Sequence, residues 1–280
     1  MYLLLFQRVL TAVVGIPLVI FLIHQGGDLF ACAVVFLAAV ALYELNNMAK
    51  NNNAKIYLFS SMIPVIMLCL AIYFFNNFML AFFIVTIAVL LIFLEGICRH
   101  KEKNWFYNNL YSILAVGYIG LFFSQIILLR QYNANIDINT AFGSLPIGEV
   151  MLWLALIGTW ASDTFAYFIG TAIGKHKMCP AISPNKSWEG AIGGFIGCIL
   201  SIYFLGQFVF LVENINLFIF GLIVAFFAPL GDLAESQIKR FSDVKDSGKL
   251  FPGHGGVLDR LDSLLFVAPA ICAYLYITTL

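Results

Sequence analysis

Charge is what this sequence has least of. Asp, Glu, Lys and Arg make up 11% of its 280 residues, where an ordinary soluble domain carries about 25%. Fifteen basic and fifteen acidic side chains cannot cover a soluble surface of this size. The hydrophobic fraction is 62% and the mean hydropathy is +0.94. A soluble globular enzyme and a disordered chain are thereby excluded. No block of Lys and Arg is present and the formal net charge is zero, which excludes nucleic acid as a partner. The cysteines Cys32, Cys69, Cys98, Cys179, Cys198 and Cys272 form no CxxC and no metal-ligand spacing with His, so a disulfide-stapled secreted domain is excluded as well. Most of them lie in apolar runs, where a free Cys behaves as a small core hydrophobe. No small-x-small cleavage site follows the first apolar run, which ends Ile23-His24-Gln25-Gly26-Gly27-Asp28. That run reads as an uncleaved span.

What remains is a polytopic membrane protein. In lipid the backbone must satisfy itself, as helices or as a closed barrel. The apolar runs are continuous and do not alternate, which favours helices over barrel strands. A spanning helix needs about 20 apolar residues. The segments 3–23, 28–45, 56–75, 78–97, 108–129, 150–173, 191–212, 215–231 and 263–280 reach or approach that length. The expectation is an all-α, polytopic integral membrane protein with about nine transmembrane helices. With the N-terminus in the cytoplasm, 14 of the 15 basic residues fall on the cytoplasmic side and only Arg130 falls outside. So lopsided a split supports this orientation. It puts the longest polar stretches, 174–190 and 232–262, on the cytoplasmic side as loops. Residues 1–140 then read as an N-terminal helical scaffold and 141–280 as C-terminal helices carrying catalytic loops.

The chemistry sits in the second half. Asp163 lies near the middle of the sixth span, where a carboxylate costs at least ~2.5 kcal/mol and marks a functional position unless it only bonds a neighbouring helix. Gly170-Thr171-Ala172-Ile173-Gly174-Lys175 resembles the end of a Walker A loop. It has His176 where Ser or Thr is needed and follows a helix, so it is not a P-loop. Gly170/Gly174, Gly190/Gly194 and Gly193/Gly197 read instead as small-xxx-small helix contacts. In Ser183-Pro184-Asn185-Lys186-Ser187-Trp188-Glu189-Gly190 a helix begins beside Lys186 and Ser187. This is either an interfacial anchor or a phosphate site at a helix N-terminus.

Further along, helix continuing past Pro229 would set Asp232, Glu235, Ser236 and Lys239 on one face. The next segment runs from Lys245 through Gly248, Gly253, Gly255 and Gly256 to Asp262. Glycine-rich backbone approaches phosphates and donates N–H groups to them. Carboxylates among lysines and glycines suit Mg²⁺, which takes one or two carboxylates plus substrate phosphates. His254, flanked by glycines, reads as a turn residue or phosphate donor before a base.

Ser236-x-x-Lys239-Arg240-x4-Lys245-Asp246-x5-Phe251-Pro252-Gly253-His254-Gly255-Gly256-x-x-Asp259-Arg260-x-Asp262 closely resembles the signature of the phosphatidate cytidylyltransferases (CDP-diacylglycerol synthases). Ser162-Asp163-Thr164-x-Ala166-Tyr167 and Ser183-Pro184-x-Lys186-Ser187-x-Glu189-Gly190 resemble further motifs of that family. The resemblance implies that CTP and bilayer phosphatidate become CDP-diacylglycerol and pyrophosphate. It also implies Mg²⁺ on Asp232 and Asp259 and a homodimer in the cell (inner) membrane. In such a reaction Lys239, Arg240, Lys245 and Arg260 would hold the lipid phosphate and the leaving pyrophosphate. Lys186, Ser187, Ser236, Asp246, His254, Gly255, Gly256 and Asp262 would line the substrate site with them. Asp163 would bind a second cation or order Ser187 and Lys186. The competing readings are a CTP-dependent polyprenol or lipid kinase and a transporter.

Overall fold

The computed structural model describes residues 2–213 and 215–279. The side chains of residues 2–8, 10 and 279 are outside the described residues, and with them Arg8 of the charge count. The architecture is all-α. Among the described residues, eight helices are long and apolar enough to cross a membrane, and Thr11–Gln25 forms a shorter apolar helix ahead of them. Many apolar side chains stay exposed, among them Phe59, Phe74, Phe82 and Leu200, as a lipid-facing surface requires. The chain divides into two compact units, Met1–Leu128 with Lys239–Arg260, and Leu129–Ile238 with Leu261–Leu280. The division differs from a split near residue 140: the segment richest in glycine and charge groups with the N-terminal helices.

In the first unit, α1 (Tyr2–Gln25) turns into α2 (Gly27–Asn51) at Gly26 and Gly27. Both have positive φ, of 59° and 53°, which a side chain would resist. Next come α3 (Leu58–Phe75) and α4 (Phe78–Cys98), then α5 (Trp105–Leu114), which continues through a π-helical segment, Ala115–Leu121, into α6 (Phe122–Gln131). Leu42, Leu45, Leu68, Ile72, Ile92 and Ile119 are fully buried here. A Cβ on Gly120 would meet the Leu68 and Val65 side chains, so the absence of a side chain there lets the π segment pack against α3. Three side chains hold the entry to α3. The N–H groups of Lys55, Ile56 and Tyr57 donate to Asn108 Oδ1, Asn46 Oδ1 and Ser112 Oγ at 2.8, 2.9 and 2.8 Å, satisfying backbone donors of the connection that leads into the helix.

In the second unit, α7 (Ile147–Ile173) and α8 (Trp188–Phe208) pack through the small residues read from the sequence. A Cβ on Gly190 would meet the Ala166 carbonyl at 2.7 Å and one on Gly194 the Ser162 carbonyl at 2.6 Å. Gly193 and Gly197 face Ile169 and Phe165 just as closely. Two small antiparallel hairpins were not foreseen, β1 (Asp137–Thr140) with β2 (Gly143–Pro146), and β3 (Lys177–Cys179) with β4 (Ser183–Ser187). Each is a short polar connection whose backbone groups pair with each other, because helices offer no edge to join. Helix α9 (Leu217–Phe241) runs unbroken past Pro229, and α10 begins at Leu258 (Leu258–Thr279). The polar stretch 232–262, expected as loop, is therefore loop only between these two helices. Arg130, the exception in the charge count, is 7% exposed and pairs with Glu149 at 3.2 Å.

Candidate active site

Two groups of predicted residues are each assembled within one unit. In the second unit, Ser162, Asp163, Tyr167, Lys186, Ser187 and Asp232 line a cavity of about 580 Å³. Lys186 Nζ lies 2.6 Å from Asp232 Oδ2, with 26% and 29% of the two side chains exposed. The Ser236 hydroxyl donates to Asp232 Oδ1 at 3.2 Å. Ser187 caps α8, its Oγ accepting from Gly190 N at 3.2 Å. Gly170 and Gly174 sit close to the same Ser187 side chain. The cavity is lined from three apolar helices, α7, α8 and α9, and from β3 and β4. It brings a cation, a carboxylate, a second acid at Asp163 and a helix N-terminus to one place. Thr171, Asn185 and Lys177 line it too. Lys177 belongs to none of the sequence motifs, and a hairpin, invisible to apolar periodicity, delivers it. Asp262, in the same unit, accepts from the N–H of Ser263 at 2.7 Å.

In the first unit, Lys245, Asp246, Lys249, His254, Gly255 and Arg260 line a second cavity of about 530 Å³. Arg240 is exposed and donates to the Val244 carbonyl at 3.3 Å. Arg260 Nε donates to the His254 carbonyl at 2.8 Å. Asp259 beside the cavity is heavily engaged. Its Oδ2 accepts from the N–H groups of Ser247 and Gly256, each at 2.8 Å, and from Ser247 Oγ at 3.0 Å. Its Oδ1 accepts from Lys239 Nζ at 2.7 Å. The glycines serve this internal anion. Gly255 has φ 89°, and a Cβ there would fall on the Asp259 carboxylate. The N–H group of Gly256, expected for a phosphate, is committed to Asp259.

One residue the sequence reading passed over belongs to this group. Glu44, on α2, is 4% exposed and accepts from Ser247 Oγ, Val257 N and Leu258 N at 3.0, 2.9 and 3.1 Å. Glu44 stands at the end of the apolar run 28–45, just before Asn46 and Asn47, and lacks the mid-span depth that singled out Asp163.

Each unit thus combines apolar helices long enough to cross a membrane with a cavity lined by cations and carboxylates. Residues 6–278 match the model of the cytidylyltransferase family, and the chain belongs to that family. It is a nucleotidyltransferase. The phosphatidate cytidylyltransferase of Bacillus subtilis (strain 168) is 34% identical over 269 residues, covering 94% of both chains. That of Staphylococcus haemolyticus (strain JCSC1435) is 33% identical over 270 residues, covering 94% of this chain and 96% of its own. The phosphatidate cytidylyltransferase of Staphylococcus saprophyticus (strain ATCC 15305) matches to the same extent.

Proposed function

We propose that this multi-pass membrane enzyme transfers the cytidylyl group of CTP to phosphatidate, giving CDP-diacylglycerol and pyrophosphate. The observation that carries the reading is the cavity in which Lys186 pairs with Asp232 at 2.6 Å among three membrane-spanning helices. A phosphate there stays attached to acyl chains that never leave the bilayer. In the reaction a phosphatidate phosphate oxygen bonds to the α-phosphorus of CTP as the bond to the pyrophosphate oxygen breaks. The nucleophile is already anionic near neutral pH, so the protein's work is positioning and charge neutralisation. Lys186 would hold a phosphate oxygen, and Ser187 would hold the start of α8 against it. Within the first unit, Lys239, Arg240, Lys245 and Arg260 gather positive charge of the kind a leaving pyrophosphate needs.

Magnesium is part of this proposal. Asp232 fits it: the carboxylate faces a cavity and can exchange its lysine for a cation. Asp259 is the tighter case, with Oδ1 retaining acceptor capacity beyond its Lys239 contact. No cluster of three His, Cys, Asp or Glu able to hold a metal occurs among the described residues. An ion would thus complete its shell from nucleotide phosphates and water, as Mg²⁺ does. When bound, it would neutralise phosphate charge and polarise the bond to be broken.

Cytoplasmic placement of segments 174–190 and 232–262 rests on the distribution of Lys and Arg. The homodimer rests on the family resemblance alone. Purified protein given phosphatidate and CTP labelled in the cytidine should form labelled liponucleotide and pyrophosphate in equal amounts. Phosphorylated lipid without cytidine label, with labelled CDP released, would establish the lipid kinase instead. For topology, a Cys at Ser247 should resist labelling from outside intact cells and a Cys at Asn139 should react. The reverse pattern would invert the orientation.

A further inference from the structure

We propose that Glu44 is a positioning residue for cytidylyl transfer: from α2 it fixes both ends of the segment 247–258 and, through Ser247, the place of Asp259. The proposal rests on the reading of the preceding subsection. It concerns a residue in the half of the sequence that reads as scaffold.

The case begins with burial. Glu44 is 4% exposed, and a carboxylate out of water must be paired or well hydrogen-bonded. Its partners come from one distant stretch of chain. Val257 N and Leu258 N, at 2.9 and 3.1 Å, open α10 and would otherwise be orphan donors of a helix start. Ser247 Oγ, at 3.0 Å, stands at the other end of the segment. Between these anchors lie Lys249, Phe251, Pro252, Gly253, His254 and Gly255, all lining the second cavity.

The chain has also cleared space for this carboxylate. A Cβ on Gly248 or on Gly256 would land on Glu44 Oε1. Neither glycine has positive φ, so backbone conformation does not demand glycine there; the approach of Glu44 does. Ser247 then joins two carboxylates. Its Oγ is 3.0 Å from Glu44 Oε2 and 3.0 Å from Asp259 Oδ2, and its N–H donates to Asp259 at 2.8 Å. A hydroxyl has a single hydrogen, so a change at Glu44 alters how Ser247 meets Asp259. Glu44 is too enclosed to meet substrate itself. It acts through the groups it holds.

The test compares Glu44→Gln, Glu44→Asp, Ser247→Ala and the double variant Glu44→Gln/Ser247→Ala, purified in detergent micelles. Kinetics are measured with CTP and phosphatidate varied separately, and rates are expressed per folded protein. Gln places an N–H₂ group against N–H donors. A misplaced reacting group costs up to about 10²-fold, so Glu44→Gln should lower kcat by roughly 10- to 10²-fold while the KM for phosphatidate moves less than about two-fold. Glu44→Asp retains the charge and should recover part of that loss. Ser247→Ala should lower kcat at least about five-fold, and the double variant should be no worse than about its poorer parent, because residues acting as one unit are not additive. Ser247→Ala removes a single oxygen, so it decides the matter if Glu44→Gln does not fold. Wild-type kcat per folded molecule in Ser247→Ala, or a double variant whose loss is the product of the singles, overturns the proposal. A wild-type protein that makes no liponucleotide overturns the proposed function itself, and that result is read before any variant.

Discussion

Asp232 and Asp259 stand in opposite circumstances. Asp232 faces a cavity with 29% of its side chain exposed and two protein contacts. Asp259 has 6% exposed and accepts from Lys239, from Gly256 and twice from Ser247. The first carboxylate is available to a ligand. The second organises the chain around it. A sequence motif gives both the same letter, so the motif alone cannot separate an acid that binds from an acid that folds its own loop.

The largest effect should follow from Asp259→Asn, which removes the charge that pairs with the 9%-exposed Lys239. Breaking such a pair costs about 3–5 kcal/mol, so the variant should lose both activity and thermal stability in micelles. An unshifted melting temperature would put Asp259 in the same class as Asp232. For Asp232→Asn the expectation is a fall in kcat of roughly 10²–10³-fold with melting unchanged, because its surroundings are half open. Instability comparable to that of Asp259→Asn would erase the distinction. Gly194→Val comes next. Its side chain would press on the Ser162 carbonyl at 2.6 Å, and overpacking costs about 1–3 kcal/mol. The loss should appear as stability, with the KM values altered only as far as α7 and α8 separate.

The smallest effect lies far from either acid. Lys55 and Glu102 pair at 3.0 Å with both side chains well exposed. The hydrogen bond from Lys55 holds the Glu102 carboxyl below its ordinary 4.5. A depressed carboxyl stabilises the fold above its unfolded value and loses that contribution as pH falls through the folded one. The small difference in melting between wild type and Glu102→Gln should therefore be present at pH 7, begin to shrink near 4.5 and be lost only as pH falls through the lower folded-state value, with activity at pH 7 unaffected.

Much of this was legible in the sequence because apolar runs are local signals. The spans, the small-residue contacts of α7 with α8, and the continuation of α9 past Pro229 all depend on residues three or four apart. The cavity containing Lys186 and Asp232 was legible as chemistry, though no spacing rule tells which lysine meets which acid. Two things lay out of reach. The hairpins depend on polar backbone pairing, which leaves no periodic trace over four residues. The glycines from Gly248 to Gly256 were read for a phosphate because nothing nearby in sequence called for them, and the Glu44 carboxylate that needs that space at Gly248 and Gly256 lies on α2.

That distance matters for how the protein is made. Glu44 meets Ser247, Val257 and Leu258 across 203, 213 and 214 residues of chain. At about 5–20 residues per second, α2 is synthesised roughly 10–40 s before its partners exist. During that interval Glu44 lacks these three partners, and a carboxylate out of water must be paired or well hydrogen-bonded. The first unit is therefore closed only after the loop between α9 and α10, the last between helices, has been translated. A chain truncated before residue 247 would keep α2 and lack Ser247, Val257 and Leu258, the groups that hydrogen-bond Glu44.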